Sequence, residues 1–163
     1  MPPLRVVLLR HADAVPGAEA GSDFARVLTR KGEAQARRIG RALLAHGFLP
    51  DAVAASPAPR ALQTAQLAVA AAGSSVPVVP DRALYEATAA DLLAAIRRHG
   101  GETLWVVGHN PGLEEVGELL EGTGGWRLGK ASAGVLEIAR SPLGPGTARR
   151  LAWVTADGSG GPP

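Results

Sequence analysis

The chain has 163 residues, close to the commonest size of one folded domain, and its 46% hydrophobic and 20% charged residues exclude a disordered or fibrous protein. The net charge is only +2 and the basic residues form no long run. Arg37, Arg38 and Arg41, like the pair Arg149-Arg150, read as solvated faces, so no nucleic-acid partner is expected. Cysteine is absent, which removes disulfides, thiolate metal sites and thiol nucleophiles, and no apolar run approaches the roughly 18 residues of a membrane span.

Leu4-Arg5-Val6-Val7-Leu8-Leu9 is a nearly continuous apolar run, the pattern of a strand buried on both faces in a parallel sheet. Arg10 and His11 cut it off too early for a secretory signal, so a cytoplasmic location is expected. A helix is predicted from near Thr29, with Ala36, Ile39, Leu43 and Leu44 on its apolar stripe and a stop at Gly47. Residues 51–55 suggest a weak strand, and Ser56-Pro57-Ala58-Pro59 turns into a helix over about residues 60–72, ended by Gly73. A third strand at 76–79, with Pro77 inside it and Pro80 after it, belongs at an edge or a strand end.

Thr88-Ala89-Ala90-Asp91 has capping-box spacing for a helix that buries Leu92, Leu93 and Ile96 and ends before Gly100-Gly101. Thr103-Leu104-Trp105-Val106-Val107 is a second buried-type strand, followed by Gly108-His109-Asn110-Pro111-Gly112 and a helix carrying Leu113, Val116, Leu119 and Leu120 up to Gly122. Residues 134–139 and 150–156 read as an antiparallel pair across a turn-rich connector. The alternation predicts an α/β protein, a three-layer α/β/α sandwich with a mostly parallel central sheet and a C-terminal antiparallel strand pair. Residues 1–156 are read as a single domain and residues 157–163, nearly all Gly, Ser and Pro, as a disordered tail.

Two of the four histidines occupy equivalent places: His11 and His109 each follow a buried strand. Ligands of open α/β sheets bind beyond the carboxyl ends of strands, so neighbouring strands would bring both imidazoles to one crevice. The loop from Ser56 leaves the same edge and carries Arg60 to a helix N-terminus, where guanidinium and N–H groups hold phosphate, and Arg10 adds a second fork. Two imidazoles and two guanidiniums with few acids point to an anionic substrate, best a phosphate, and not to a divalent metal. His11 is the candidate nucleophile, its pKa depressed by the adjacent arginines, while Arg10, Arg60 and a protonated or donating His109 hold the phosphoryl group. Neither metal nor cofactor is expected. A metal site of His11, Asp13 and His109 is the competing chemistry, disfavoured by the two guanidiniums.

Leu8-Leu9-Arg10-His11-Ala12-Asp13-Ala14 resembles the Arg-His-Gly signature of the histidine phosphatase superfamily, also called phosphoglycerate mutase-like. Val27-Leu28-Thr29-Arg30-Lys31-Gly32 resembles its Leu-Thr-x-x-Gly segment, Ser56-Pro57-Ala58-Pro59-Arg60-Ala61-Leu62-Gln63-Thr64 its Ser-Pro-x-x-Arg-x-x-Gln-Thr block, and Val107-Gly108-His109-Asn110 its second-histidine motif. The short chain and Asp13-Ala14 resemble the small SixA-type phosphohistidine phosphatases, which lack an inserted lid. Ala12 replaces the usual glycine, a departure of little consequence unless the backbone there needs a positive φ.

The resemblance implies a phosphoglycerate mutase-like fold and a metal-independent phosphatase working through phospho-His11. Its implied substrate is phosphohistidine in a protein, or alternatively a small phosphate monoester; a non-catalytic phosphate-binding module is a further alternative. Asn110 and Ser56 join the expected phosphate-binding set, Ser56 being read first as a cap for the following turn. Glu86 matches the family acid by its place in the segment Leu84-Tyr85-Glu86 and is read either as general acid or as a solvated loop carboxylate. His46 and His99, at predicted helix C-termini, are assigned structural roles.

Overall fold

The computed structural model describes residues 2–157 and 160–161. Four strands run parallel: β1 (Leu4–Arg10), β2 (Ala52–Ala55), β3 (Val78–Pro80) and β4 (Thr103–Gly108). β5 (Ser132–Ile138) runs antiparallel to β1, β6 (Ala148–Thr155) antiparallel to β5, and β7 (Gly160–Gly161) antiparallel to β6, in the order β3-β2-β4-β1-β5-β6-β7. The expected three-layer sandwich and its C-terminal antiparallel pair are both present. β3 lies at the sheet edge, where Pro80, lacking an N–H, breaks no ladder.

The helices are α1 (Gly17–Ala20), α2 (Arg30–Ala45), α3 (Pro59–Ala71), α4 (Ala89–His99) and α5 (Gly112–Glu121). Alternation along β1 divides the core. Val7 and Leu9, with Trp105 and Val107, face α2 and α3, while Val6 and Leu8, with Leu104 and Val106, face α4 and α5. Between α2 and α3 the packing residues are small: a Cβ on Gly40 would lie 2.2 Å from the Ala68 carbonyl oxygen, and Ala36, Ala61, Ala65 and Ala68 are fully buried. Thr29 caps α2 through the Gly32 N–H, and Thr88 and Asp91 form the capping box that the spacing predicts for α4.

The periodicity missed α1 and a short 3-10 turn over Arg82–Leu84, both too brief to leave an apolar stripe. Within the tail expected to be disordered, Gly160–Gly161 pair with Val154 and Trp153. This pairing gives partners to outer N–H and C=O groups of β6, and glycine needs no packing of its own to pair there. Residues 158, 159, 162 and 163 lie outside the described residues. No described helix is long and apolar enough to cross a membrane.

Candidate active site

β1 and β4 are parallel neighbours, with Arg10 in register with Gly108, and the His11 N–H donates to the Gly108 carbonyl at 3.1 Å. From these ends the chain turns to opposite faces, β1 towards α2 and β4 towards α5, which makes their C-terminal crevice a topological switch point. The imidazoles of His11 and His109 consequently meet, their ring centroids 5.3 Å apart. β2, on the other side of β4, delivers Ser56 and then α3, whose second residue is Arg60. A cavity of about 530 Å³ is lined by Arg10, His11, Arg60, Glu86, His109 and Asn110 among others. Of the residues expected to act on or hold the phosphoryl group, only Ser56 is absent from its wall.

His11 is 6% exposed, and its Nδ1 lies 2.8 Å from the Ala12 carbonyl. A carbonyl only accepts, so Nδ1 carries the proton and the neutral ring keeps its lone pair on Nε2. Burial pushes the His11 pKa down to about 4, with Arg60 and Arg10 adding smaller repulsions against the Ala12 hydrogen bond. The arginines expected to depress it act in that direction, but desolvation leads. His109 is pushed down to about 3, first by burial and then by Arg60 and His11, which favours its neutral, donating form in the ligand-free site. Ala12 is not among the non-glycine residues at positive φ, so alanine replaces glycine there without backbone strain.

Ser56 is fully buried behind His109. Its Oγ lies 2.8 Å from His109 Nε2 and accepts the Ala58 N–H at 3.2 Å, so it caps the turn, as expected, and also braces the second histidine. Thr64, equally buried, accepts the Ala12 N–H at 3.0 Å and donates to the Arg60 carbonyl at 2.7 Å, tying the nucleophile loop to α3. Asn110 Nδ2 and Arg10 Nη1 both donate to the Leu128 carbonyl, at 2.9 and 3.1 Å. Among the described residues Arg10 Nε, Arg60 Nε and Asn110 Oδ1 are buried without a protein partner.

The expectation of few acids does not hold: Asp23, Glu86 and Glu115 line the cavity with Arg26 and Tyr85. Arg60 donates through Nη1 to the Asp23 carbonyl (2.7 Å) and through Nη2 to its carboxylate (3.0 Å), and the Tyr85 hydroxyl donates to the same carboxylate at 2.9 Å. The Tyr85 hydrogen bond comes first in holding Asp23 below the usual carboxylate range. Sequence reasoning passed over Asp23 and Arg26 because they lie in an irregular stretch without periodicity. Glu86 is exposed and sits at a φ of 53°, in the left-handed region.

Asp13 turns away from the histidines. Its carboxylate accepts from Thr29 at 2.7 Å and pairs with Lys130 at 2.9 Å, so the alternative metal set is not gathered. Among the described residues no group of three His, Cys, Asp or Glu side chains is placed to hold a metal ion. His46 caps the C-terminus of α2, and His99 ends α4 with its Nε2 2.8 Å from Asp81; neither lines the cavity.

The chain is similar across 94% of its length to 98% of an Agrobacterium tumefaciens structure provisionally described as phosphohistidine phosphatase SixA, at 26% identity and a TM-score of 0.78. A protein histidine phosphatase SixA complexed with tungstate shares the fold, with a TM-score of 0.81 at 19% identity over 94% of this chain and 98% of that one. A 2,3-bisphosphoglycerate-dependent phosphoglycerate mutase of Nocardia farcinica is 42% identical over 84 residues, half of this chain and 34% of the mutase. The chain spans between 34% and 59% of the length of the curated relatives it matches. The sequence profile described as Histidine phosphatase superfamily (branch 1) matches residues 6–94, which hold Arg10, His11, Arg60 and Glu86, and His109 stands beside His11 in the crevice. The chain therefore belongs to the histidine phosphatase superfamily.

Proposed function

We propose that this protein is a metal-independent phosphatase that transfers the phosphoryl group to His11 and then to water, and that its substrate is phosphohistidine in a protein. The carrying observation is the His11 imidazole, neutral and with Nδ1 bound to the Ala12 carbonyl, set beside Arg10 and Arg60 in an open cavity. The Nε2 lone pair forms the N–P bond as the bond from phosphorus to the leaving nitrogen breaks. That nitrogen departs with its electron pair and takes a proton. Water then attacks phospho-His11, releasing inorganic phosphate and returning the ring to its neutral form. Arg10, Arg60, Asn110 and His109 neutralise or donate to the phosphoryl oxygens. Ser56 serves by holding His109.

The SixA-described relatives, which match almost the whole chain, support the choice of substrate. A small phosphate monoester is the second reading, favoured by Glu86 on the cavity wall, where a carboxylic acid could protonate a leaving alkoxide. Rapid quench of enzyme with labelled phosphohistidine protein in EDTA tests the proposal. Acid-labile, alkali-stable label on the wild type and none on His11→Ala is expected. Turnover that EDTA abolishes, or label that persists in His11→Ala, would refute the mechanism. Turnover confined to small monoesters and lost in Glu86→Gln would select the second reading, and absence of both label and turnover would select a phosphate-binding module.

A further inference from the structure

Residues 122–131, which join α5 to β5, are bound to α5 by three carboxylates on successive turns. Glu118 accepts the Trp126 N–H at 3.2 Å, Glu121 accepts the Trp126 indole N–H at 3.0 Å, and Glu114 accepts the Leu128 N–H at 2.7 Å. Leu128 is the point where this stapled loop meets the site, since its carbonyl accepts from both Arg10 and Asn110. Its side chain is only 3% exposed, and three residues on, the Ala131 N–H donates to the Arg10 and His11 carbonyls at 3.1 Å each. The Leu128 carbonyl is therefore held from the N–H side by Glu114, from below by the core and from the far side by β1. Glu114 itself does not line the cavity.

We infer that Glu114 is a positioning residue, whose carboxylate fixes Leu128 so that its carbonyl sets the orientation of Arg10 and Asn110 in the phosphoryl pocket. The inference rests on the phosphatase reading for its functional consequence, and its geometry stands apart from that reading. Arg10 Nε and Asn110 Oδ1 have no protein partner among the described residues, so the Leu128 carbonyl is the hold on both side chains. A hydrogen bond from a backbone N–H to a charged carboxylate is among the stronger ones, which suits a residue that must keep a loop still. Burial lowers the Arg10 pKa and the Glu114 charge opposes that shift, so the same carboxylate also favours the cationic guanidinium.

The test compares Glu114→Ala, Glu114→Gln and Glu118→Ala with the wild type. Three quantities are read: affinity for inorganic phosphate by calorimetry in EDTA, thermal stability, and the Arg10 Nε–H resonance of ligand-free protein. Glu114→Ala is expected to weaken phosphate binding and kcat/KM about tenfold and to move the Arg10 resonance. Glu114→Gln keeps an acceptor for the Leu128 N–H and should stay within about threefold of wild type. Glu118→Ala loosens the same loop at Trp126, so it should lose stability while keeping phosphate affinity and the Arg10 resonance. Should Glu114→Ala not fold, Glu114→Asp, one methylene short of Leu128, carries the same comparison. The proposal is overturned if the Glu114 variant that folds leaves affinity and resonance unchanged, or if Glu118→Ala weakens phosphate as much. A wild type that neither binds phosphate nor turns over, with a moved Arg10 resonance in Glu114→Ala, would sink the phosphatase reading and leave the positioning role standing.

Discussion

His11 and His109 are imidazoles kept neutral by burial, and the consequence is a pH profile displaced from that of free histidine. With the nucleophile's pKa near 4, the acid limb of kcat/KM, corrected for ionisation of the substrate, is expected at about pH 4 and not near 6.5. A limb at 6.5 that vanishes in no histidine variant would count against His11 as the titrating group. Ser56 is the residue whose removal should separate support from chemistry. Ser56→Ala leaves the Ala58 N–H and His109 Nε2 without their buried partner, which costs about 1–3 kcal/mol of stability. It should also reduce kcat/KM about tenfold, as His109 loses its orientation; urea denaturation and steady-state kinetics on one preparation measure both. Of these residues, Arg10, His11, Arg60 and His109 were legible in the sequence because each stands at a strand end or helix start within a motif. Asp23, Arg26 and Tyr85 were not, since only the path of the loops brings them to the cavity.

Elements place these residues by close approach, above all where α2 meets the nucleophile loop. A Cβ on Gly32 would stand 1.9 Å from the Asp13 carbonyl oxygen, two residues beyond His11. Glycine to alanine within an exposed helix gains about 1 kcal/mol, whereas here the backbone contact reverses the sign, and Gly32→Ala should cost about 2–3 kcal/mol. Activity should fall with it because the displaced segment carries His11; an unchanged melting temperature would refute the contact. At α4, Thr88→Ala removes the capping box and should cost about 1 kcal/mol, as thermal melts would record. Caps, apolar stripes and breaker residues made the four long helices and the central strands readable. The turn over Arg82–Leu84 left no such pattern, being a local response to Asp81 accepting the Ala83 N–H at 2.9 Å.

At the scale of the whole molecule, acid should weaken the fold in two stages. Between pH 6.5 and about 4, and on to about 3 for His109, the unfolded chain binds protons on these histidines that the native state does not. Stability therefore falls as pH drops through that window. Asp81 follows: burial would raise its pKa, but Arg98 and His99 hold it at about 2, so its contribution is present above 3.8 and is lost towards 2. Urea midpoints at pH 7, 5.5 and 4 should decline, and His11→Gln should flatten the slope between 6.5 and 4. Inorganic phosphate, binding only the native state, should raise the melting temperature with concentration.

Local pattern determined the α/β class and the order of the main elements, because strand burial, helix periodicity and capping are properties of short segments, and the resemblance of four short motifs singled out Arg10, His11, Arg60 and His109. Tertiary structure alone decided that β1 and β4 are neighbours, which is what joins His11 to His109 across 98 positions of sequence. It also decided that the imidazoles are neutral and that Asp23 sits on Arg60. Desolvation and contact between distant loops depend on what surrounds a group in space, and no local run of residues encodes that.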